Sequence, residues 1–200
     1  MGNFEYIIAS LPVFEPDKGP SKDTAEQIKD FVRSQLDGKD LALVDFLESG
    51  WVEENLDKEF YLKAMEHKNR FIREYFLFDL QMRNAKVRHL NKALDRPKDM
   101  DIFLVPEVID LQADAALEKI YEDTDILGKE RAADRLLWDK IMEITTFNYF
   151  DIDAVLGFLA KLHITQRWML LDEETGRSLF RTLVQEVKGT FKGVEYNSNQ

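Results

Sequence analysis

The stretch IREYFLFDLQMRNAKVRHLNKALDRP, residues 72–97, contains many polar side chains that could do chemistry or bind a partner. It is apolar at first and then carries acids, bases and amides, with no glycine or proline before Pro97. Such a set is compatible with a catalytic site, a nucleic-acid-binding stripe, or the packing and docking faces of a structural protein. The candidate partner-binding residues are Asp79, Arg83, Asn84, Lys86, Arg88, Asn91 and Lys92.

The basic residues of this stretch do not form one stripe on a helix. At about 100° per residue, Arg83 and Lys86 fall on one side, and Arg88 and Lys92 fall on nearly the opposite side. The whole chain has a net charge of −11, from 38 acidic and 27 basic residues. This charge opposes binding to nucleic acid or to an anionic membrane surface. We therefore predict two solvated edges and no nucleic-acid partner.

The apolar residues of the same helix form two stripes, whereas a surface helix has one. The stretch should therefore be sandwiched between other helices. Asn84 and Asn91 lie within one stripe, and buried amides need hydrogen-bond partners. The favoured hypothesis is that they bond a neighbouring backbone or helix end of this chain. The alternative is that their stripe stays open for a partner helix. The two stripes are Phe71, Tyr75, Phe78, Met82, Ala85 and His89, and Phe76, Leu80, Asn84, Val87, Asn91 and Leu94.

Motifs for catalysis or cofactor binding are missing from the sequence. The chain has no cysteine, no GxGxxG, no GxxxxGK[ST] and no HExxH. None of the histidines at 67, 89 and 163 has a glutamate three residues before it, so the ExxH pattern of di-iron bundles is absent too. We predict no enzyme activity, no metal and no cofactor. An enzyme whose site is built from dispersed Asp, Glu, Arg and His residues stays an alternative.

The sequence predicts an all-α, multi-helix bundle with a short extended N-terminal arm. We assign residues 1–20 to that arm, 21–97 to a helical subdomain with a long central helix, 98–190 to a second helical subdomain, and 191–200 to a frayed tail. A single domain is the alternative to the two subdomains. The alternation of Phe4, Tyr6 and Ile8 favours the extended arm.

Helix starts and stops can be placed along most of the chain. Ser21 is a predicted N-cap, as is Asp151. Residues 57–96 contain neither glycine nor proline, which predicts one very long helix, with two helices and a turn as the alternative. The other predicted helices are 21–36, 40–49, 107–121, 128–145, 151–171 and 173–188.

No apolar run approaches the roughly 20 residues that a membrane span needs. The N-terminus also lacks the basic flank and cleavage site of a signal peptide. We expect a cytoplasmic protein.

The chain resembles a family of uncharacterised bacterial proteins, common in Bacteroidetes, that are encoded among V/A-type ATPase subunits. Three segments carry the resemblance: the helix described above, YIIASLP near the N-terminus, and FNYFDIDAVLGFLAKLHITQRWMLLDEETGRSLFRTLV, residues 147–184. A weaker resemblance links FDLQMRNAKVRHLN to the socket-like central-stalk subunit of these ATPases that is called d in eukaryotes. That protein has helices with Asp, Asn and Arg in the order of Asp79, Asn84 and Arg88 here.

The resemblance implies a non-enzymatic coupling subunit that links the central shaft to the membrane rotor ring. Its partners would be other ATPase subunits, and it would be peripheral to the inner membrane through protein contacts only. The alternative function is a helical regulatory or adaptor module that is unrelated to ATPases.

Overall fold

The computed structural model describes residues 3–16, 18–105, 110–169, 178 and 180–185. Within these ranges the chain is an all-α multi-helix bundle without a strand, as predicted. A short 3-10 turn, Glu53–Asn55, lies between the third and fourth helices. The α-helices are α1 Phe4–Ser10, α2 Lys22–Gln35, α3 Gly38–Ser49, α4 Lys58–Met65, α5 Arg70–Ala93, α6 Leu111–Tyr121, α7 Ile126–Ile144 and α8 Ile152–Met169.

Polar side chains fix where most of these helices begin. A side-chain oxygen of the capping residue accepts a hydrogen bond from a backbone N–H of the first turn, which would otherwise have no partner. Ser21 caps α2, and Asp151 accepts from the backbone N–H of Ala154 at the start of α8. Both predicted caps are therefore confirmed. The same role falls to Asn3, Asp37, Asp57, Asn69, Asp110 and Asp125.

The predicted single long helix over residues 57–96 is wrong, because the segment forms α4 and α5 with a turn between them. Asn69 Oδ1 accepts from the N–H of Ile72, and His67 Nδ1 accepts from the N–H of Asn69. The Arg73 guanidinium donates to the carbonyls of His67 and Lys68, at 2.6 and 2.9 Å. These side chains satisfy the backbone groups at the break, so the turn needs neither glycine nor proline.

The predicted extended arm is also partly wrong, because its first half is α1. Asn3 caps this helix, and Ile7 is fully buried where α1 packs on α8. The alternation of Phe4, Tyr6 and Ile8 is therefore not an inward–outward strand pattern. Residues 11–16 and 18–20 are non-helical and include one isolated bridge, between Glu15 and Lys18.

Helix α5 is the centre of the core. It packs on α4, α6, α7 and α8, while α1, α2 and α3 pack on α8. Side chains from both predicted stripes are buried, among them Phe71 and Phe78 from one and Phe76 and Leu80 from the other. The prediction of a sandwiched central helix is confirmed.

The predicted C-terminal helix, the tail and the division into two subdomains are not decided by the described residues. The helix over 173–188 and the tail lie outside the described residues, except that 178 and 180–185 are helical. The division at residue 97 into two subdomains stays a prediction. Among the described helices, none combines the length and the apolar character that crossing a membrane requires.

Candidate partner-binding surface

The first charged edge of α5 faces α4 and α7. The Arg83 guanidinium pairs with Asp79, which is one turn away, at 2.8 Å, and the Tyr61 hydroxyl donates to the same carboxylate at 2.7 Å. Lys86 reaches Glu130 on α7 at 2.6 Å. These predicted site residues therefore stand together on one edge, and each already has a partner within the chain.

The second edge of α5 faces α6 and the loop after α5. Arg88 lies between Asp99 and Asp114, with N–O distances of 3.5 and 3.6 Å, and its side chain is only 16% exposed. Lys92 pairs with Glu122 at 3.4 Å, and both side chains are well exposed. The prediction that the basic residues lie on two separate edges is confirmed, but the edges are only partly solvated, since the side chains of Arg88 and Asp79 are largely covered. Exposed pairs such as Lys92–Glu122 contribute little to stability, so these side chains are able to exchange partners.

Backbone groups of this same chain form hydrogen bonds with the side-chain amides of Asn84 and Asn91. Asn84 Nδ2 donates to the carbonyl of Phe103 at 2.7 Å, and its Oδ1 accepts from the Phe103 N–H at 3.1 Å. Asn91 Nδ2 donates to the carbonyls of Lys98 and Met100, at 3.3 and 2.7 Å. We call residues 98–105, which provide these partners, the connector. The backbone N–H and C=O groups of the connector are not paired in a helix or sheet, so side chains provide their hydrogen-bond partners.

The favoured hypothesis for the asparagines is therefore confirmed, and the hypothesis of an open stripe is wrong at these two positions. Asn84 and Asn91 are 8% and 3% exposed, so neither can meet a partner in this conformation. The end of the stripe stays uncovered, where Leu94 is 59% exposed.

A polar cleft lies between the loop after α3 and helices α5, α7 and α8. Its volume is about 270 Å³, and Trp51 forms part of its wall by stacking on the ring of His163, with centroids 4.2 Å apart. Asp134 also lines it, accepts a hydrogen bond from the Trp168 indole at 2.8 Å and forms an ion pair with Arg167 at 3.3 Å. The volume is slightly below the roughly 300–1,000 Å³ usual for small-molecule sites.

Burial shifts the pKa values of His163 and Asp134 in this cleft. Burial lowers the pKa of His163 to about 4, and the charges of Lys29 and Arg167 act in the same direction. A base with such a pKa is a poor match for chemistry near pH 7. Burial raises the pKa of Asp134, while Arg167 and the Trp168 hydrogen bond oppose that change. His163 is therefore a poor candidate for a general base at neutral pH.

A larger cavity of about 490 Å³ lies between the end of α5 and α6. Positive and negative charges nearly cancel along its wall, because both cations and carboxylates line it. A Lys98–Glu118 pair at 3.9 Å joins the Lys92–Glu122 pair there. The cavity wall therefore lacks the uniformly positive surface that a polyanion would need. Its charged lining residues are Arg88, Lys92, Asp95, Arg96, Lys98, Glu118 and Glu122. Across the part of the chain that the structure describes, no group of three or more His, Asp or Glu side chains could hold a metal ion.

A cluster of exposed aromatic side chains lies outside the set of predicted site residues. Phe147, Tyr149 and Phe150 are 84%, 67% and 59% exposed in the loop between α7 and α8. We call residues 146–151 the aromatic turn. The sequence contains a signal for this turn. The segment FNYF lies between two predicted helices, so its aromatic rings are not on the buried face of either helix.

Hydrogen bonds within the aromatic turn fix its conformation. The N–H of Thr146 donates to the carbonyl of Glu143, and the N–H of Asn148 donates to that of Thr145, at 3.3 and 3.0 Å. Asn148 Nδ2 also donates to Asp151 Oδ2 at 2.6 Å, while Asp151 caps α8. The aromatic side chains therefore project from an ordered backbone, which lowers the entropy that binding would cost.

Carboxylates flank the aromatic turn along the chain. Glu143 is exposed in the last turn of α7, Asp151 follows Phe150 directly, and Asp153 lies in the first turn of α8. Asn69 donates a hydrogen bond to Asp153, whose pKa is raised by burial and by the charge of Asp151. The turn is thus an apolar centre with an acidic rim.

Part of the chain matches a known family model. Residues 103–190 match the model of a family described as a protein of unknown function (DUF2764). The matched region contains α6, α7 and α8 and the aromatic turn. No curated protein and no solved structure matches the chain significantly. The description of the matched family names neither an activity nor a partner.

Proposed function

We propose that this protein is a non-enzymatic subunit that binds other proteins, and that the complex is a V/A-type rotary ATPase. In this proposal it is a coupling part between the central shaft and the membrane rotor ring, similar to the central-stalk subunit called d in eukaryotes. The observation that carries the proposal is the aromatic turn, with Phe147, Tyr149 and Phe150 exposed on an ordered loop.

Exposed aromatic side chains in a fixed turn are typical of a protein interface. Each aromatic ring can bury roughly 150–250 Å² on contact, and aromatic residues are enriched where interfaces have their largest energies. Scattered exposed apolar residues need no explanation, but three aromatics within four residues form a cluster. The ordered backbone and the acidic rim add the selectivity that a single partner surface requires.

The choice of ATPase rests on the resemblance of YIIASLP, of the α5 segment and of residues 147–184 to proteins encoded among ATPase subunits. The all-helical body is compatible with a scaffold of this kind. In this proposal the protein lies in the cytoplasm, peripheral to the inner membrane through its partners. A helical adaptor that serves some other complex is the alternative function.

Co-purification from native membranes tests the proposal. Tagged wild-type protein should recover rotor-shaft and membrane-ring subunits of the ATPase, identified by mass spectrometry. A variant with Phe147→Ser, Tyr149→Ser and Phe150→Ser should lose them. The matched control carries Val13→Ser, Leu111→Ser and Ile126→Ser, which also removes three exposed apolar side chains, at 100%, 79% and 73% exposure.

The outcomes separate the parts of the proposal. Wild-type protein recovered without ATPase subunits would refute the ATPase assignment. Subunits that are retained by the aromatic variant would refute the role of the turn, and subunits lost from both variants would show a general loss of folding. Circular dichroism of each variant checks that last point directly.

A further inference from the structure

We infer that the aromatic turn binds a basic amphipathic helix of its partner, one that presents apolar side chains flanked by lysine or arginine. This inference deepens the proposed function and rests on it, since it specifies what the partner places against Phe147, Tyr149 and Phe150. It draws on the geometry of the turn and on the charges around it.

The apolar side chains of the turn need an apolar occupant. The three rings are exposed in the free protein, so an occupant must bring apolar surface of its own to cover them. Met142, in the last turn of α7, is 48% exposed and extends the apolar area beside the turn. Methionine adapts its shape to irregular surfaces, which suits contact with an apolar helix face.

The acidic rim selects for a basic occupant. Between residues 139 and 153 the chain carries the carboxylates Asp139, Glu143, Asp151 and Asp153 and the cation Lys140. Two further cations lie nearby: Arg70, which is paired with Glu74 and lies close enough to Asp153 and Glu143 to interact with their charges, and Lys161, whose Nζ is 3.6 Å from Met142 Sδ. Carboxylates still outnumber cations in this region. Lys140 is itself paired with Glu143, at 3.0 Å. An occupant with lysine or arginine beside its apolar face meets opposite charge on contact, which favours both recognition and association rate.

The same charges disfavour the other occupants. A second copy would bring an identical acidic rim against this one, and each copy carries a net charge of −11. An anionic lipid surface would be repelled for the same reason. Strand addition needs an exposed sheet edge, and the described ranges contain helices and one isolated bridge but no strand. An amphipathic helix can present apolar side chains to the rings and basic side chains to the acidic rim at the same time.

The test uses two synthetic helical peptides of about 18 residues, or five turns, with leucines on one face and either lysine or glutamate on the other. Fluorescence anisotropy of the labelled peptides measures binding to the full chain. We expect the lysine peptide to bind wild-type protein at least about tenfold more tightly than the glutamate peptide, a difference of about 1.4 kcal/mol.

Two variants separate site-specific binding from general attraction to an acidic protein. The aromatic variant should weaken lysine-peptide binding by about tenfold or more, as expected for loss of a hot-spot cluster. The control variant at Val13, Leu111 and Ile126 should bind as wild type does. Neutralising two exposed carboxylates of α7 near the turn, with Asp139→Asn and Glu143→Gln, should weaken binding about threefold and reduce its salt dependence.

Equal binding of the lysine peptide to wild-type protein and to the aromatic variant would overturn the inference. So would preferred binding to phosphatidylglycerol vesicles, or a dimer in sedimentation experiments that the aromatic variant abolishes. ATPase subunits recovered on membranes without lysine-peptide binding would leave the proposed function standing and reject the basic helix. The reverse result would keep the basic helix and reject the ATPase.

Discussion

Replacing Asn84 with leucine would remove two of the four side-chain hydrogen bonds by which Asn84 and Asn91 hold the connector against α5. The Asn84 amide donates to the Phe103 carbonyl at 2.7 Å and accepts from the Phe103 N–H at 3.1 Å. Leucine has a similar size but can form neither bond. The substitution therefore tests whether this chain, and not a partner, provides the contacts of the buried amide.

The magnitude follows from these contacts. Each hydrogen bond contributes about 1 kcal/mol net, and each polar group left without a partner on burial costs about 1–3 kcal/mol. Burial of the leucine side chain offsets about 1–2 kcal/mol of this loss. We expect a net loss of about 2 kcal/mol in the free energy of unfolding. For a chain of this size that corresponds to a fall of about 4–8 °C in Tm.

Urea unfolding followed by circular dichroism measures this loss as a lower midpoint at an unchanged slope. Hydrogen exchange provides a local measurement, because the Phe103 amide should lose its protection in Asn84→Leu. Leu94→Asn is the matched control. It lies on the same stripe but is 59% exposed, so its effect should stay within about 0.5 kcal/mol.

One result would contradict the role of Asn84 in holding the connector. If Asn84→Leu unfolds at the same urea concentration as wild type, with the Phe103 amide still protected, then Asn84 does not hold the connector. The stripe would then again be a candidate surface for a partner helix.

Two further predictions concern the core. Since burial lowers the pKa of His163 to about 4, the neutral ring contributes stability that is complete above pH 6.5 and is lost as the pH falls towards 4. Wild type should lose about 2 kcal/mol more than His163→Phe between pH 7 and pH 5 in urea unfolding, and equal losses would contradict this. Gly50→Ala should destabilise by about 1–3 kcal/mol, because an added Cβ would overlap the Phe76 ring, whereas Gly38→Ala meets open space and should be neutral or stabilising. Thermal unfolding compares the two glycine variants, and equal Tm values would count against the close packing of Gly50.

Much of the helical architecture could be predicted from local sequence. Ser21 and Asp151 cap their helices as expected, since a cap depends on residues only two or three positions away. The separation of Lys86 from Arg88 across α5 follows from the helical repeat alone. For the same reason the two apolar stripes predicted that α5 would be sandwiched between other helices.

Predictions that depended on distant or competing contacts were less successful. The break between α4 and α5 contains no glycine or proline to mark it, because the side chains of Asn69 and Arg73 satisfy its backbone groups instead. The first half of the predicted arm is α1 because Ile7 finds a buried place on α8, which lies about 150 residues further along the chain. Periodicity over a few residues contains no information about such a neighbour.

Local sequence was sufficient to predict that this chain is helical, that α5 has two buried faces, and that its cations lie on opposite edges. All three follow from backbone geometry and residue type within a few turns. Tertiary packing was needed to show that the connector covers Asn84 and Asn91, and that Phe147, Tyr149 and Phe150 stay exposed. Burial depends on which distant segment packs against a residue, and a local pattern contains no information about that segment.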